Sequence, residues 1–299
     1  MANCLQMILK NSKDTFFSYN RSLNFRGKLM DITGPRVMGI LNITPDSFYD
    51  GGRYCNNSGI IDHVTFMVDC GADIIDVGGC SSRPGARIPD AREESERVFP
   101  VLKLIRDKYP ELPLSLDTFR ASLAKTAITD FGVDMINDIS GGEMDPEMFG
   151  TVTGYQVPYV IMHMRGVPAN MQTHTGYDNI LKEMLDYFAH KIERLRQMGL
   201  NDIIIDPGFG FAKTLDQNYY LLKHLSSFRI LNAPVMVGLS RKSMIYKFLE
   251  INASEALTGT IVLNTIALTQ GADILRVHDV KEAVQAIALV NKTTGSRGN

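Results

Sequence analysis

Three acceptor residues stand at similar places in this chain: Asp117 in LPLSLDT, Asn137 in DMINDIS and Asp206 in DIIIDPG each close a short apolar, β-branched run. Brought together, two carboxylates and a carboxamide offer acceptors to a flat, donor-rich ligand such as the guanidine-like edge of a pterin or guanine ring. The same carboxylates suit Mg²⁺ binding or acid–base work, and residue type alone leaves those alternatives open. A cationic set follows. In SRKSMIYKFLE, Arg241 and Lys242 are expected in the first turn of a helix, where cations oppose the helix dipole unless an anion binds nearby. Ser240, Lys242 and Ser243 therefore read as a site for a ligand carboxylate or carbonyl oxygen. Arg276 and His278, two apart in DILRVHD, share a strand face and can grip one anionic group, which a diphosphate would suit.

Each of these residues has a structural explanation when taken singly. Asp or Asn after a strand is a common helix cap or turn former, Ser240 can be a cap beside two solvated bases, and a lone His is usually a satisfied core residue. Their number argues otherwise. Asn42, Gly78-Gly79, Asp117, Asn137, His163, Asp206, Ser240-Arg241-Lys242 and Arg276 with His278 leave eight apolar runs, and all eight ends are polar or glycine. Two long segments join them. LNITPDSFYDGGRY (Leu41 to Tyr54) and GGCSSRPGARIPD (Gly78 to Asp90) are rich in Gly, Pro, Ser and Asp, as substrate-covering lids are, and carry the opposite charges Asp50 and Arg83.

The elements that must position these groups follow from hydrophobic patterning. Eight strands are expected within Val37 to Asn42, Asp73 to Gly79, Leu112 to Thr118, Asp134 to Ser140, Tyr159 to Met164, Asp202 to Gly208, Pro234 to Ser240 and Asp273 to Asp279. Segments with helical spacing lie between them, and the phrases CGADIID, FGVDMIND and QGADILRV each place a helix-ending Gly just before a strand. Eight alternations of β and α predict a (β/α)8 TIM barrel, with a doubly wound sheet as the alternative; in a barrel the active site gathers at the C-terminal strand ends. Arg21 to Ile32 carries a Gly-centred turn, predicting a short N-terminal hairpin that closes the barrel bottom. The expected organisation is a flexible extension over residues 1–20, one barrel domain over 21–292 and a frayed tail over 293–299.

Composition narrows the function classes. With 299 residues, 44% hydrophobic and 21% charged, and a net charge of -2, the chain is an ordinary α/β globular protein without the basic excess that nucleic acid or an anionic membrane would attract. Four cysteines, Cys4, Cys55, Cys70 and Cys80, form no C-x-x-C pair, so reduced thiols and a cytoplasmic location are expected, and no segment has the apolar length of a membrane span.

MGILNITPDSFYDGG, DVGGCSSRPGA, LSLDT, INDISGG, DPGFGFAKT, VGLSRKSMI and ILRVHDV, in this order from residue 37 to about 290, resemble the dihydropteroate synthases. The first loop, the Arg-Pro-Gly of the second and the Ser-Arg-Lys are the more specific parts; related pterin-binding methyltransferase barrels share the Asp and Asn positions. The resemblance implies a homodimeric (β/α)8 enzyme of folate biosynthesis, a target of sulfonamide inhibitors, that joins dihydropterin diphosphate to 4-aminobenzoate with help from Mg²⁺. It implies that Asp117, Asn137, Met162, Asp206, Lys242 and Arg276 hold the pterin. Phe48, Ser82, Arg83, Pro84, Phe211, Lys242 and Ser243 would shape the aminobenzoate slot, with Ser243 taking the carboxylate. Asn42, Arg276 and His278 would hold the diphosphate, Asn42 also lying near the metal, while Asp50 and Arg83 close over the reaction. Cys80 and Ser82 stand where that family more often has Glu and Thr, which bears on loop closure and sulfonamide sensitivity. Three rivals remain: a pterin-dependent methyltransferase domain, a non-catalytic pterin-binding protein, and a Schiff-base aldolase using Lys242. The aldolase would need a desolvated lysine, whereas a helix start beside Arg241 predicts an anion-binding one.

Overall fold

The computed structural model describes residues 22–43, 57–80 and 87–295. Two strands, β1 (Ser22–Phe25) and β2 (Lys28–Asp31), form an antiparallel hairpin. Its two-residue turn has Arg26 at φ 51° and Gly27 at φ 86°, the left-handed pair that matches the twist of adjoining strands. Eight parallel strands follow: β3 (Arg36–Asn42), β4 (Ile74–Gly78), β5 (Leu114–Asp117), β6 (Met135–Asp138), β7 (Tyr159–Met162), β8 (Ile203–Asp206), β9 (Met236–Val237) and β10 (Ile274–Val277). Their order is β8-β7-β6-β5-β4-β3-β10-β9, and a parallel bridge from Ile205 to Val235 joins β8 to the segment entering β9, which closes the barrel and excludes the open sheet.

Helices α1 (Asn57–Asp69), α2 (Ala91–Lys108), α3 (Ala121–Phe131), α4 (Met148–Tyr155), α5 (Ile180–Gln197), α6 (Leu215–Lys223), α7 (Ser243–Leu249), α8 (Leu257–Thr269) and α9 (Val280–Thr294) connect the strands. Their boundaries follow local chemistry. Asp90 caps α2 by accepting from Glu93 N, and Thr214 and Gln217 form a reciprocal capping box on α6. Gly132, at φ 61°, ends α3 three residues before β6, and Gly71 and Gly271 stand at the same distance before β4 and β10.

Strand alternation separates two cores. Val37, Ile75, Val77, Leu114, Leu116, Ile136, Ile161, Ile205, Val237, Leu275 and Val277 face outward into the large cluster shared with the helices. Met38, Ile74, Met135, Val160, Ile204, Met236 and Ile274 face inward near the strand starts, and Leu23, Phe25 and Ile32 of the hairpin region pack onto them. The hairpin thus plugs the lower end of the barrel, as the sequence predicts. Asn24 N donates to Asp202 Oδ2 at 2.9 Å, and Arg26 pairs with Asp134, tying the plug to the rim.

The start of one helix differs from the expectation. Helix α7 begins at Ser243, so Arg241 and Lys242 precede its first turn: Arg241 takes φ 53°, Lys242 is the N-cap, and their charges are not stacked on the helix end. The C-terminal helix α9 runs through Thr294 and buries Val280, Ala283, Ala286 and Val290. The expected extension over 1–20 lies outside the described residues, as does the end of the tail. No helix among the described residues is long and apolar enough to cross a membrane.

Candidate active site

The next inward positions up each strand change from apolar to polar. Asp76, Asp117, Asn137, Met162, Asp206 and Arg276 stand two residues above the apolar ring or at the equivalent height, and strand pairing brings them around one axis. Arg276 links the carboxylates. Its Nε donates to Asp76 Oδ2 at 2.7 Å and an Nη donates to Asp117 Oδ2 at 2.7 Å, while Asn137 Nδ2 donates to the same Asp76 oxygen at 3.0 Å. Burial alone would lower the basicity of Arg276, but Asp76 and Asp117 outweigh it and hold the guanidinium charged.

The other acceptors feel the low dielectric more strongly. Burial pushes Asp117 up to about 7, against the attraction of Arg276 and with added repulsion from Asp76, Asp138 and Asp206. Burial also raises Asp206, opposed by Lys242 and by the Gly208 N–H, which donates to its Oδ1 at 2.7 Å. Both carboxylates therefore carry their charge at a cost, and a ligand offering N–H donors or positive charge relieves it.

Lys242 reaches the same space from the β9–α7 turn. Its ammonium donates to Phe209 O and lies 4.7 Å from the Phe211 ring centre; burial lowers it to about 8, with Asp206 pulling the other way. Lys242 is thus a partly desolvated ammonium and not a solvated base, because the loop after β8 folds over it. Arg241 turns away to pair with Asp279 at 2.7 Å and acts as a strut between the ends of β9 and β10. Ser240 Oγ accepts from His278 N at 3.3 Å and lies 3.0 Å from His278 Nδ1, so Ser240 is joined to His278. His278 is exposed at the mouth, Ser243 opens α7, and Phe211 and Met162 share a small apolar cluster with Phe119 and Ile139 beside the acceptors.

Asn42 ends β3 beside Gly78. A Cβ at Gly78 would lie 3.4 Å from Asn42 Oδ1 and 3.6 Å from Asp117 Oδ2, so the missing side chain keeps the space between these oxygens open. Phe48, Asp50, Ser82, Arg83 and Pro84 lie outside the described residues. Cys80, just before them, is half-buried; burial, reinforced by Asp117, pushes its thiol up to about 11 against Arg120 and Arg97, so it is a poor nucleophile at neutral pH.

Sequence reasoning missed two buried groups. Asp76 is a charge inside the apolar run IIDVG, a position that only an inward-facing polar site explains. Lys213 lies fully under the mouth, donating to Gly208 O at 3.0 Å and Phe211 O at 2.9 Å, with His163 Nδ1 at 3.2 Å. Burial lowers Lys213 to about 7 and His163 to about 2, so His163 is a neutral anchor in the wall of the site.

Comparison with known proteins decides the family. The profile of the pterin binding enzymes matches residues 38–278, from the first barrel strand to the last. The dihydropteroate synthase of Escherichia coli (strain K12) is 41% identical over 276 residues, covering 92% of this chain and 97% of that protein. The chain belongs to the dihydropteroate synthases. A crystal structure of the Yersinia pestis dihydropteroate synthase in a sulfonamide drug complex superposes with a TM-score of 0.87 at 40% identity, covering 92% of this chain and 99% of that one. The Xanthomonas albilineans dihydropteroate synthase with 4-aminobenzoic acid gives 0.84 at 35% identity, covering 92% and 98%. For a dihydropteroate synthase the partly desolvated Lys242 is no sign of an aldolase, since its ammonium is committed to Phe209 O and the Phe211 face. The methyltransferase and binding-protein readings are not favoured against relatives that align over nearly the whole barrel.

Proposed function

We propose that this chain condenses 6-hydroxymethyl-7,8-dihydropterin diphosphate with 4-aminobenzoate, releasing 7,8-dihydropteroate and diphosphate in folate biosynthesis. The observation that carries the reading is the convergence of Asp117, Asn137 and Asp206 at the barrel mouth with Lys242 and Arg276 beside them. Asp117, Asn137 and Asp206 accept the pterin's amino and ring N–H groups, and Lys242 donates to ring oxygen or nitrogen. Met162 packs on the ring and Arg276 stacks across it.

Loss of diphosphate from the pterin methylene leaves a cation, and the Asp117 and Asp206 carboxylates stabilise that charge as it forms. No enzyme nucleophile is needed. Arg276, His278 and Asn42 hold the departing diphosphate. Ser243 at the start of α7 takes the carboxylate of 4-aminobenzoate. Phe48, Ser82, Arg83, Pro84 and Phe211 shape its slot, so that the aromatic amine meets the methylene carbon. Sulfonamides, as aminobenzoate mimics, enter the same slot. Asp50 and Arg83 keep water from trapping the cation.

The site fits Mg²⁺ held in the way that ion prefers, by few protein oxygens plus phosphate and water. Asn42 Oδ1 would be its protein ligand, in the space that Gly78 keeps open. Bound there, the ion would supply charge neutralisation for the leaving diphosphate. A homodimer is supported by an apolar strip on three successive helices: Phe248 and Leu249 of α7, Val262 and Ile266 of α8 and Leu289 of α9 are all exposed. The free thiols of Cys70 and Cys80 and the soluble substrates suit a cytoplasmic enzyme.

Diphosphate release from the pterin substrate, with and without 4-aminobenzoate, tests the proposal. Release that requires the amine supports a synthase; tight pterin binding with no release would move the chain to the methyltransferase or binding-protein class.

A further inference from the structure

The reaction just described leaves one buried carboxylate without a role. Asp76 is 0% exposed on β4, and its register neighbours are Ile40 on β3 and Ser115 on β5. Its Oδ2 accepts twice, from Arg276 Nε at 2.7 Å and from Asn137 Nδ2 at 3.0 Å. Its Oδ1 and the neighbouring Ser115 Oγ are buried with no hydrogen-bond partner, so the carboxylate acts on the site only through the oxygen it turns to Asn137 and Arg276.

The chemistry of the pair fixes a direction. A carboxylate in an ion pair accepts and cannot donate, so the Asn137 amide must present its NH₂ to Asp76. Its carbonyl oxygen is then left for a ligand, and among the described residues nothing donates to that oxygen. A carboxamide without such a fixed neighbour can flip, exchanging acceptor for donor at nearly the same shape. The choice matters for recognition, because a flipped Asn137 would welcome a ring carbonyl where the present one welcomes a ring N–H.

We propose that Asp76 is a positioning residue that locks Asn137 with its amide oxygen toward the pterin, so that the site takes a donor edge and refuses an acceptor edge. The inference rests on the synthase reading. It assigns Asp76 to specificity: Asp76 touches no substrate and acts through Asn137, while its second bond holds the plane of Arg276.

The test is calorimetric binding of 6-hydroxymethylpterin and of the analogue carrying a ring carbonyl in place of the exocyclic amino group, using the full chain. Wild type favours the pterin. In Asp76→Asn the neighbour can itself donate, Asn137 can flip, and the pterin-to-analogue affinity ratio falls about tenfold or more. In an Asn137→Leu background, adding Asp76→Asn changes the ratio no further, because the intermediary is gone. A ratio unchanged by Asp76→Asn, or losses that add in the double variant, would overturn the proposal while leaving the synthase reading intact. Wild type that binds neither ring would sink both. If Asp76→Asn does not fold, the side-chain amide protons of Asn137 in the wild type decide by NMR. They stay protected and barely shift when pterin is added if they face Asp76, and a large shift on binding would show that they face the ligand.

Discussion

Arg276 holds Asp117 by an Nη–Oδ2 bond of 2.7 Å while its Nε holds Asp76 at the same distance, so one guanidinium bridges two carboxylates across the barrel. Removing it leaves both acids without their counter-charge. Arg276→Met is expected to lower stability by about 3 kcal/mol at pH 8, the usual cost of breaking a buried pair from one side. The deficit shrinks at pH 5, where the orphaned Asp117, already held up to about 7, is protonated. Urea denaturation at the two pH values checks this; an equal loss at both would show that the bridge is not electrostatic in origin.

The pH profile should report two tuned groups among those proposed to hold the pterin. Asp117 is held up to about 7 and Lys242 down to about 8. In the free enzyme kcat/KM should fall below about pH 7 as Asp117 protonates and above about pH 8 as Lys242 loses its proton, the values belonging to a coupled set. Asp117→Asn should flatten the acid limb of whatever activity remains, and Lys242→Arg the alkaline limb. Profiles of unchanged shape in both variants would contradict the assignment.

Stability should move the opposite way from activity at Asp117. Its folded pKa lies above the unfolded one, so the folded chain binds the extra proton between about pH 4 and about pH 7 and loses that stabilisation as pH rises through the window. Asp117→Asn is therefore expected to be more stable than wild type at pH 8, by something on the order of 1–2 kcal/mol, though nearly inactive. The advantage should vanish near pH 4. Thermal or urea melts across pH give the answer directly.

Lys213 should matter without touching substrate. Its donations to Gly208 O and Phe211 O hold the loop that carries Phe209 O and the Phe211 ring against Lys242. Lys213→Met is expected to raise the KM for 4-aminobenzoate by roughly tenfold, as loss of a well-made buried hydrogen bond would, with a smaller change in kcat. Steady-state kinetics with the amine varied separates this from a general loss of folded enzyme.

The exposed apolar strip gives a further expectation. Phe248 of α7 is 63% and Leu289 of α9 69% exposed, with the exposed Val262 and Ile266 on α8, which packs against both helices. Phe248→Glu combined with Val262→Glu should yield monomers by sedimentation velocity where wild type gives dimers. Wild type that sediments as a monomer at micromolar concentration would remove the dimer from the account.

Much of this was legible because barrel chemistry is written at strand ends. The acceptors Asp117, Asn137 and Asp206 close apolar runs, and period-two alternation separates Arg276, inside ILRV and paired in the pattern with His278, from the outward Leu275 and Val277. Asp76 escaped because it sits inside its run, where a charge reads as an irregularity until the inner face of the barrel is known. Lys242 was expected within the first turn and is instead the N-cap: a left-handed residue at Arg241 delays the helix, and no local propensity at an arginine announces that conformation. The burial of Lys213 and Lys242 could not be read either, since both are covered by the loop after β8, a tertiary contact with no periodic signal.

The most direct test of the central claim is formation of 7,8-dihydropteroate, followed by mass, from the two substrates with Mg²⁺ in wild type and in Asp206→Ala. Product that needs both substrates and collapses by about a hundredfold or more in the variant is the predicted result, since a buried acceptor aimed at the ring and its developing charge is lost. Wild type that forms no product, or Asp206→Ala that forms it at the wild-type rate, would contradict the claim that the acceptors at the barrel mouth bind the pterin and carry the reaction.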